Sequence, residues 1–415
     1  MIGMADNPLG LYLSIPFCRS KCTYCNFASG VYPASEHERY VNRLMEALAA
    51  SRAWAKRTGV ELPRRVDTVY LGGGTPSLLA PELIARLFAA MRTQFDFEPN
   101  AEITVECAPG QIVDATIAAL VAAGVNRVSL GAQSFIDREA AVSGRLHTHA
   151  TILEDICRLR AAGISNLSVY LIAGLAGQTF ASWQQSLETL IECGVPHASI
   201  YMLEVDEDSR LGREMLSHGA RYHAELVPTD DAIARMYSDA LRALAAAGLA
   251  QYEISNFCQP GFASRHNLRY WQRRPYLGLG LDASSMLHEA VGQAGRSLPR
   301  RVLRTTTTSD LKAFFERPEL EESTWLSSEQ QHEEAWFLGL RLNAGVDMAA
   351  LEREFGSGLV AGALEKVAIL KEAGLVTSDG NTVRLTAQGQ LLSNDVFQEF
   401  LELDAEPSLE AQSEL

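Results

Sequence analysis

Three cysteines near the amino terminus, Cys18, Cys22 and Cys25, lie close enough together to share a metal cofactor. They occur in CRSKCTYC, at spacings of four and three residues, directly after an apolar, strand-like run. Cysteine thiolates hold iron–sulfur clusters, and such clusters ordinarily take four cysteine ligands. Three thiolates would therefore leave one iron of a cubane cluster open to an exchangeable ligand. A structural zinc ion and three free thiols are the alternatives, and zinc is disfavoured because the nearest histidine, His37, lies twelve residues further on, in a helical pattern.

The other four cysteines, at positions 107, 157, 193 and 258, are isolated and mostly lie in apolar runs. They are interpreted as small buried hydrophobic residues. An odd total of seven in a chain without a secretory signal is not typical of a disulfide framework. No apolar stretch reaches the length of about 18 residues that a transmembrane helix needs. We therefore expect a cytoplasmic protein.

The charge balance argues against one class of partner. The 415 residues include 36 basic and 51 acidic side chains, for a net charge of −15. A protein so negative must repel a nucleic-acid backbone before it can contact it, so a nucleic-acid binder is disfavoured. Hydrophobic residues make up 47% of the chain, which is enough for a sizeable core.

The elements that would position the cysteines alternate between strands and helices. Six short apolar runs predict strands at 11–16, 66–71, 101–107, 127–132, 167–173 and 197–203. Between them, helical patterns cover 36–58, 81–95, 114–123, 151–162 and 179–193. This alternation predicts parallel strands joined by right-handed crossovers. Periodicity alone leaves open whether the strands form a doubly wound sheet or a partial barrel.

A second motif follows the second predicted strand and gives the first family resemblance. GGGTP, at residues 72–76, lies at the end of this strand. Its glycines let the backbone approach a ligand closely. CxxxCxxC after the first strand and a glycine-rich stretch after the second resemble the radical S-adenosylmethionine (SAM) superfamily. The resemblance implies that the open iron binds the amino and carboxylate groups of SAM, and that the glycine stretch holds its amino group. A tight turn is the alternative for the glycines.

Further motifs narrow the resemblance to the coproporphyrinogen III dehydrogenase-like group, over roughly residues 9–400. The segment YLSIPFC is similar to the lead-in YxHIPFC of this group. The group's pattern is also matched by GGGTPS, ITVECAP and SLGAQSF, and by Arg145, which follows Gln133 by twelve residues. Two features favour the HemW-type heme chaperones within this group. The dehydrogenases carry a fourth cysteine where this chain has Phe27, and HNLRYW, from His266 to Trp271, is similar to the HNxxYW motif that marks the chaperones.

Three positions depart from the family pattern. Tyr170 and Ala176, in YLIAGLAGQT, replace the aspartate and the proline of a DLIxGLPGQT setting, and Ser14 replaces the histidine of YxHIPFC. In the related dehydrogenases the aspartate belongs to a second SAM site. A tyrosine cannot serve as a carboxylate acceptor, so we expect this chain to bind a single SAM molecule.

With the resemblance, the predicted fold is α/β: a partial (βα)6 TIM-like barrel of the radical SAM type, with a small C-terminal α+β winged-helix-like domain. The helices and the Asp379-Gly380 hairpin signal after residue 326 indicate the second domain. The predicted units are the core barrel 1–225, an extension 226–290 that carries HNLRYW in a loop, a connection 291–325, the C-terminal domain 326–398 and an acidic tail 399–415.

The resemblance also implies the cofactor contacts. Cys18, Cys22 and Cys25 would ligate a 4Fe–4S cluster, and no residue is assigned as catalytic. The predicted SAM contacts lie at strand ends, in the cysteine loop and in the first strand: Tyr12, Tyr24, Gly73, Gly74, Thr75, Glu106, Gln133 and Arg145. Ordinary rim or core packing is the alternative for each of them.

His266 is predicted to ligate heme iron, because a neutral imidazole can do so through one ring nitrogen. Tyr270 and Trp271 would form an aromatic wall for the porphyrin, and Arg265 and Arg269 would meet its propionates. The alternative is a histidine that packs a loop against the barrel.

The leading functional hypothesis is a heme chaperone that delivers heme to recipient hemoproteins and lacks coproporphyrinogen oxidase activity. The alternatives are a radical SAM enzyme that decarboxylates a porphyrinogen, a HemN-like radical methyltransferase, and a binding module that keeps the cluster only for structure. Phe27 weighs against the decarboxylase, and HNLRYW weighs against the methyltransferase. The expected partners are heme and hemoproteins, without nucleic acid or an integral membrane segment; peripheral membrane contact, SAM cleavage and the oligomeric state stay open.

Overall fold

The computed structural model describes residues 7–290, 299–316 and 321–401. Six parallel strands form the centre of one large sheet, in the order of the chain. They are β1 (Leu9–Ile15), β2 (Arg65–Gly73), β3 (Asp96–Cys107), β4 (Arg127–Gln133), β5 (Asn166–Ala173) and β6 (His197–Met202). In a doubly wound sheet the strand order reverses at a switch point. Because β1 to β6 follow one another without reversal, the sheet has the order of a partial barrel, which decides between the two alternatives.

Helices connect these strands at nearly the predicted positions. They are α1 (Ala34–Thr58), α2 (Pro81–Gln94), α3 (Asp114–Ala123), α4 (Asp137–Val142), α5 (His149–Ala161) and α6 (Phe180–Glu192). Pro81 begins α2, as expected of a residue without an amide hydrogen. The helical pattern at 151–162 begins two residues after the start of α5, whose N-cap is Thr148; the Thr148 side chain accepts from the Thr151 amide.

Antiparallel strands extend the sheet at both edges. The elements that follow β6 are α7 (Arg210–Leu216), α8 (Asp230–Ala246), β7 (Ala250–Glu253), β8 (Asn256–Cys258), α9 (Arg265–Trp271), β9 (Tyr276–Leu279), β10 (Ser284–His288), β11 (Val302–Thr307), α10 (Leu311–Glu316) and β12 (Glu321–Leu326). β8 and β7 lie beyond β6, while β9, parallel to β1, leads to β10, β11 and β12 on the other side. The sheet thus has twelve strands.

Two sequence interpretations are wrong in this region. The predicted connection 291–325 contains β11, α10 and most of β12, because β-branched threonines pair across antiparallel strands as readily as they occur in loops. HNLRYW was expected in a loop, but it is the helix α9, which begins after Ser264; the Ser264 hydroxyl accepts from the Asn267 amide. A helix of seven residues is marginal alone and is stabilised here by tertiary contacts.

A smaller unit with its own core follows. It contains α11 (Ser328–Leu340), β13 (Val346–Asp347), α12 (Met348–Phe355), α13 (Ser357–Glu372), β14 (Val376–Asp379), β15 (Thr382–Leu385), α14 (Ala387–Leu391) and α15 (Ser393–Gln398). β14 and β15 form the hairpin that Asp379-Gly380 predicts. Trp336 stacks on Phe400 at 4.8 Å in this core, so the predicted acidic tail 399–415 begins inside the folded unit. Residues 402–415 of that tail lie outside the described residues.

The two ends of the barrel differ in what covers them. Cys18 follows β1, and the glycine stretch follows β2, so both lie at the carboxyl ends of the strands. Helix α9 packs at the other end, against Pro8 and the first residues of β2. Within the described ranges, no helix has the length and apolar character needed to cross a bilayer.

Candidate cofactor-binding site

The loop that carries the three cysteines is held in place by backbone hydrogen bonds to distant segments. At its base, the Cys18 amide donates to the Gly30 carbonyl, and the Gly30 amide donates to Pro16, both at 2.9 Å. In its middle, the Thr23 amide donates to Ser143 at 3.0 Å, and the Thr23 carbonyl accepts from Leu211 at 2.8 Å. Its conformation therefore depends on the loop after β4 and on α7, as well as on its neighbours.

All three cysteines line one cleft at this end of the barrel, and all are free thiols. The Thr75 hydroxyl lies 3.9 Å from Cys18 Sγ, and the Ser29 hydroxyl lies 3.9 Å from Cys25 Sγ. Within the described ranges, no three histidine, cysteine or acidic side chains converge at the distances of a single metal ion.

The glycine stretch fits tightly against the chain that leads into the cysteines. A Cβ atom at Gly74 would lie 2.8–2.9 Å from backbone atoms of Ile15, Pro16 and Phe17. Gly73 has φ of +95°, and a Cβ there would lie 2.7 Å from the Ser14 hydroxyl. Glycine is therefore required here by close packing alone, and this packing brings Gly73, Gly74 and Thr75 to the wall of the cleft.

The ends of β3 and β4 bring two polar side chains into the same cleft. Glu106 accepts a 2.6 Å hydrogen bond from the Tyr70 hydroxyl, and burial raises the pKa of this carboxyl. Gln133 is fully buried, and among the described residues neither atom of its amide group has a hydrogen-bond partner. Its φ of +61° is rare for a residue with a side chain. Unpaired buried groups and backbone strain together are typical of a ligand site.

Arg145 completes the polar wall. Its guanidinium donates to the Tyr24 hydroxyl at 3.4 Å, while its Nε is buried without a partner in the described part of the chain. Gly144 allows the chain next to Arg145 to approach the cysteine loop, because a Cβ at this position would lie only 3.3 Å from the backbone of Cys22. The cleft thus presents a carboxylate, an amide and a guanidinium beside three thiols. This donor set matches the amino, carboxylate and hydroxyl groups of SAM.

Tyr12 lies between the cysteine cleft and a second cavity. Its ring lies 6.2 Å from that of Tyr70 and lines a separate, aromatic cavity with Tyr270 and Tyr276. Its hydroxyl would lie 3.5 Å from a Cβ at Gly73, so only that atom approaches the cysteine cleft. The alternation of β1 explains this, because Tyr12 points to the barrel interior below the level of Cys18.

His266 lies at the opposite end of the barrel and is fully buried. Its Nδ1 is 2.9 Å from the Thr68 hydroxyl, and its Nε2 is 2.8 Å from the Tyr270 hydroxyl. Burial, with the Arg269 charge as a smaller cause, lowers the pKa of His266 to about 3. Both ring nitrogens are engaged, so this conformation offers none to an iron atom.

The arginines of this helix are also engaged. Arg269 is fully buried, forms an ion pair with Asp67, and donates to the carbonyls of Pro8 and Pro275 at 2.9 and 2.8 Å. Arg265 lies 3.5 Å from the same Asp67 carboxylate. The predicted role of both arginines as propionate partners is therefore not supported. The structure gives α9 the role of closing the N-terminal end of the barrel.

Comparison with known proteins agrees with the arrangement of the two units. Residues 12–190 match the Radical SAM superfamily, and residues 326–392 match the HemN C-terminal domain. The chain is 32% identical to the heme chaperone HemW of Lactococcus lactis over 398 residues, which cover 96% of this chain and 98% of that protein. It is also 32% identical to the heme chaperone HemW of Bacillus subtilis, over 94% and 98% of the two chains.

The chain belongs to the HemW family. Its superfamily implies a 4Fe–4S cluster and SAM as cofactors. Its fold is similar to that of the coproporphyrinogen III oxidase HemN of Escherichia coli, with a TM-score of 0.77 and 21% identity over 95% of this chain and 90% of that one. At that identity the likeness concerns the fold alone.

Phe27 and Tyr170, at which this HemW-family chain differs from the related dehydrogenases, both lie at the cleft. Phe27, where the dehydrogenases carry a fourth cysteine, is 62% exposed at the rim. Tyr170 lines the cleft, and its ring packs edge-on against Tyr201 at 4.7 Å. Burial raises the pKa of Tyr170, so its phenol stays neutral and fills space that an aspartate would leave open.

Sequence interpretation missed Tyr70 in this HemW-family chain. Its ring stacks on His266 at 5.3 Å, and its hydroxyl donates to Glu106, so it connects the closed end of the barrel with the cleft. The signal is present in the sequence, because Thr68, Tyr70 and Gly72 alternate along β2 and must share one face of the sheet.

Proposed function

We propose that Cys18, Cys22 and Cys25 ligate a 4Fe–4S cluster and that SAM binds in the adjoining cleft. The unpaired amide of Gln133 and the unpaired Nε of Arg145 support this most directly, because buried polar atoms without partners cost stability unless a ligand satisfies them. When bound, the cluster would supply an open iron and an electron. The protein supplies orientation and exclusion of water.

Each of the polar side chains has a role in this proposal. Gly73, Gly74 and Thr75 present backbone and hydroxyl groups to the methionine part of SAM, and Arg145 receives a carboxylate. Glu106 and Gln133 accept from amino or hydroxyl groups, while Tyr24, which is joined to Arg145, borders the adenine. Tyr170 occupies the place of a second molecule, so one SAM is bound.

We further propose that the chain is a heme chaperone that binds heme and passes it to recipient hemoproteins. The observation that carries this proposal is the match to named heme chaperones over 96% of this chain, including the C-terminal unit. Phe27 supports it, since an exposed phenyl ring at the rim cannot replace a cysteine. All seven cysteines are free thiols, as is usual in a reducing compartment, which supports a cytoplasmic location.

The test uses the reconstituted holoprotein under anaerobic conditions. Hemin is titrated into one portion and followed by its Soret band, and a second portion is assayed for coproporphyrinogen turnover with SAM and a reductant. We expect saturable hemin binding and no decarboxylated product. Turnover of coproporphyrinogen would establish the enzyme alternative instead, and an absence of hemin binding would refute the chaperone proposal.

A further inference from the structure

A second cavity, which we call the aromatic cavity, lies on the interior face of the sheet between α9 and α11. It is lined by Tyr12, Tyr270, Trp271, Tyr276, Asp282, Ser284, Arg304 and Leu338. Tyr270 packs edge-on against Tyr276 at 4.7 Å, and its ring lies 6.4 Å from that of Trp271. Rings from the neighbouring strands β1 and β9 and from helix α9 therefore offer walls to a flat, largely apolar ligand.

Two hydrogen-bond donors, one on Trp271 of the cavity wall and one on its neighbour Arg341, have no acceptor among the described residues. Trp271 Nε1 and Arg341 Nε are both buried, and neither has a partner within the described residues. The two side chains are neighbours, because the Arg341 guanidinium lies over the Trp271 ring at 4.4 Å from its centroid. Among the described side chains, no carboxylate lies within salt-bridge distance of Arg341, which distinguishes it from most of the buried or half-buried arginines of this fold.

A buried carboxyl group lies nearby without neutralising this arginine. Glu253 is fully buried, and its Oε1 accepts from the Ser255 amide at 3.2 Å and from the Asn256 side chain. Its Oε2 has no partner in the described part of the chain. Burial raises the pKa of Glu253, although the Arg341 charge opposes that shift.

Arg304, the other cation of the cavity, shows the contrast. It forms a bidentate ion pair with Glu334, at 3.0 and 2.7 Å, and donates to the Tyr276 hydroxyl at 2.7 Å. Its charge and hydrogen-bonding capacity are therefore already used. An incoming anion would gain little from Arg304, whereas Trp271 Nε1 and Arg341 Nε have no hydrogen bond within the described residues to give up.

We propose that Arg341 and Trp271 together hold a carboxylate group of a tetrapyrrole whose ring lies in the aromatic cavity. A carboxylate has two oxygens, one for the guanidinium and one for the indole N–H, and charge-assisted bonds of this kind are the strong ones. The inference rests on the proposed heme-chaperone function and specifies which part of the ligand is recognised. It replaces His266 as the anchor of the ligand, because that histidine is fully engaged at the closed end of the barrel.

The test varies the carboxylates of the ligand and keeps its ring. Protoporphyrin IX and its dimethyl ester are titrated separately into the cluster-loaded protein, with porphyrin fluorescence as the readout; neither probe contains iron, so axial ligation plays no part. We expect the wild-type protein to bind the free acid at least about tenfold more tightly than the ester, the loss expected for one charged hydrogen-bonded group.

The protein variants are Arg341→Gln, Arg341→Lys and Trp271→Phe. Arg341→Gln should bind both porphyrins with nearly equal affinity. The preference of Trp271→Phe and of Arg341→Lys for the free acid should be intermediate between that of Arg341→Gln and that of the wild type. Arg273→Gln is the matched control: Arg273 also lies over an aromatic ring, that of Phe355, but it is paired with Glu354 at 2.7 Å. That variant should keep the wild-type preference for the free acid.

Two further outcomes distinguish a failure of this inference from a failure of the proposed heme-chaperone function. If the wild type binds neither porphyrin nor hemin, the proposed function fails. If it binds porphyrin and Arg341→Gln keeps the wild-type preference for the acid, only this inference is overturned. Thermal unfolding of each variant checks that it is folded under the conditions of the titration, so that a lost preference for the free acid cannot be attributed to unfolding.

Discussion

The two ends of the barrel hold similar numbers of polar side chains and use them in opposite ways. At the closed end, Asp67 and Arg269 are buried and paired with each other, and both ring nitrogens of His266 are paired with hydroxyl groups. At the cysteine end, Gln133 and Arg145 are left with unpaired atoms. The difference teaches that a buried polar residue indicates a ligand site only when its partners are missing. Residue type and motif alone do not make that distinction.

The largest effect should come from replacing the three cysteines, because they are the proposed ligands of the cluster. Replacement of all three by alanine should abolish the visible absorption of the reconstituted protein and the roughly four irons expected for one cluster. Iron and sulfide analysis under anaerobic conditions measures this. The closed end should be unaffected, so hydrogen exchange of α9 should match the wild type; a variant that keeps its full iron content would show the assignment to be wrong.

The closed end should respond through stability. Asp67→Ala leaves the fully buried Arg269 without its carboxylate, and loss of one partner of a buried pair costs about 3–5 kcal/mol. Urea unfolding checks this, with SAM binding as a second readout that should not change in the folded protein. The control is Asp96→Ala, which removes the exposed ion pair with Arg64 and should cost less than about 1 kcal/mol. Equal losses in the two variants would contradict the comparison.

At the cysteine end, a buried amide should matter for SAM and not for stability. Gln133→Leu should weaken SAM binding about tenfold while the free energy of unfolding stays within about 1 kcal/mol of the wild type, because no hydrogen bond within the protein is lost. Calorimetry on the cluster-loaded protein measures the affinity.

Gln178→Leu is the matched control for that variant. The amide of Gln178 is also buried, but it accepts from Gly174 at 2.6 Å and donates to Ile172 at 3.2 Å. This variant should lose about 1–3 kcal/mol of stability and keep its SAM affinity. If Gln133→Leu instead lost stability and Gln178→Leu lost SAM affinity, unpaired buried atoms could not be used to identify the SAM site.

The smallest effect concerns pH. The pKa of His266 falls to about 3 in the folded chain, because burial disfavours the charged imidazole. The unfolded chain takes up this proton near pH 6.5, so His266 lowers the stability of the folded state as pH falls from about 6.5 towards 3, and has no effect at higher pH. His266→Phe should reduce the slope of unfolding free energy against pH by up to one proton between pH 6 and 4. The same variant should bind hemin with wild-type affinity, and a weakened hemin complex would restore His266 as the ligand.

Local patterns predicted the central strands because each one is a short, β-branched apolar run between helical periods. They also predicted the cysteine cleft, since loops at the carboxyl ends of parallel strands meet by geometry. The position of α9 was not accessible, because nothing near His266 in the sequence indicates that Thr68 and Glu102 lie against it. β11 and β12 were missed for a related reason: their strand character depends on pairing with each other, and the threonine run is equally typical of a loop.

The anchoring of the cysteine loop has a consequence for the order in which the protein is made. The cysteines emerge early in synthesis, yet Arg210, which donates to the Lys21 carbonyl in their loop, follows 189 residues later. The Leu211 amide that binds Thr23 comes at the same stage. During translation the nascent chain therefore carries three exposed thiols with no fixed arrangement until β6 and α7 have been added. Under the proposed ligation, the arrangement of the cysteines that holds the cluster therefore depends on residues as far along the chain as α7.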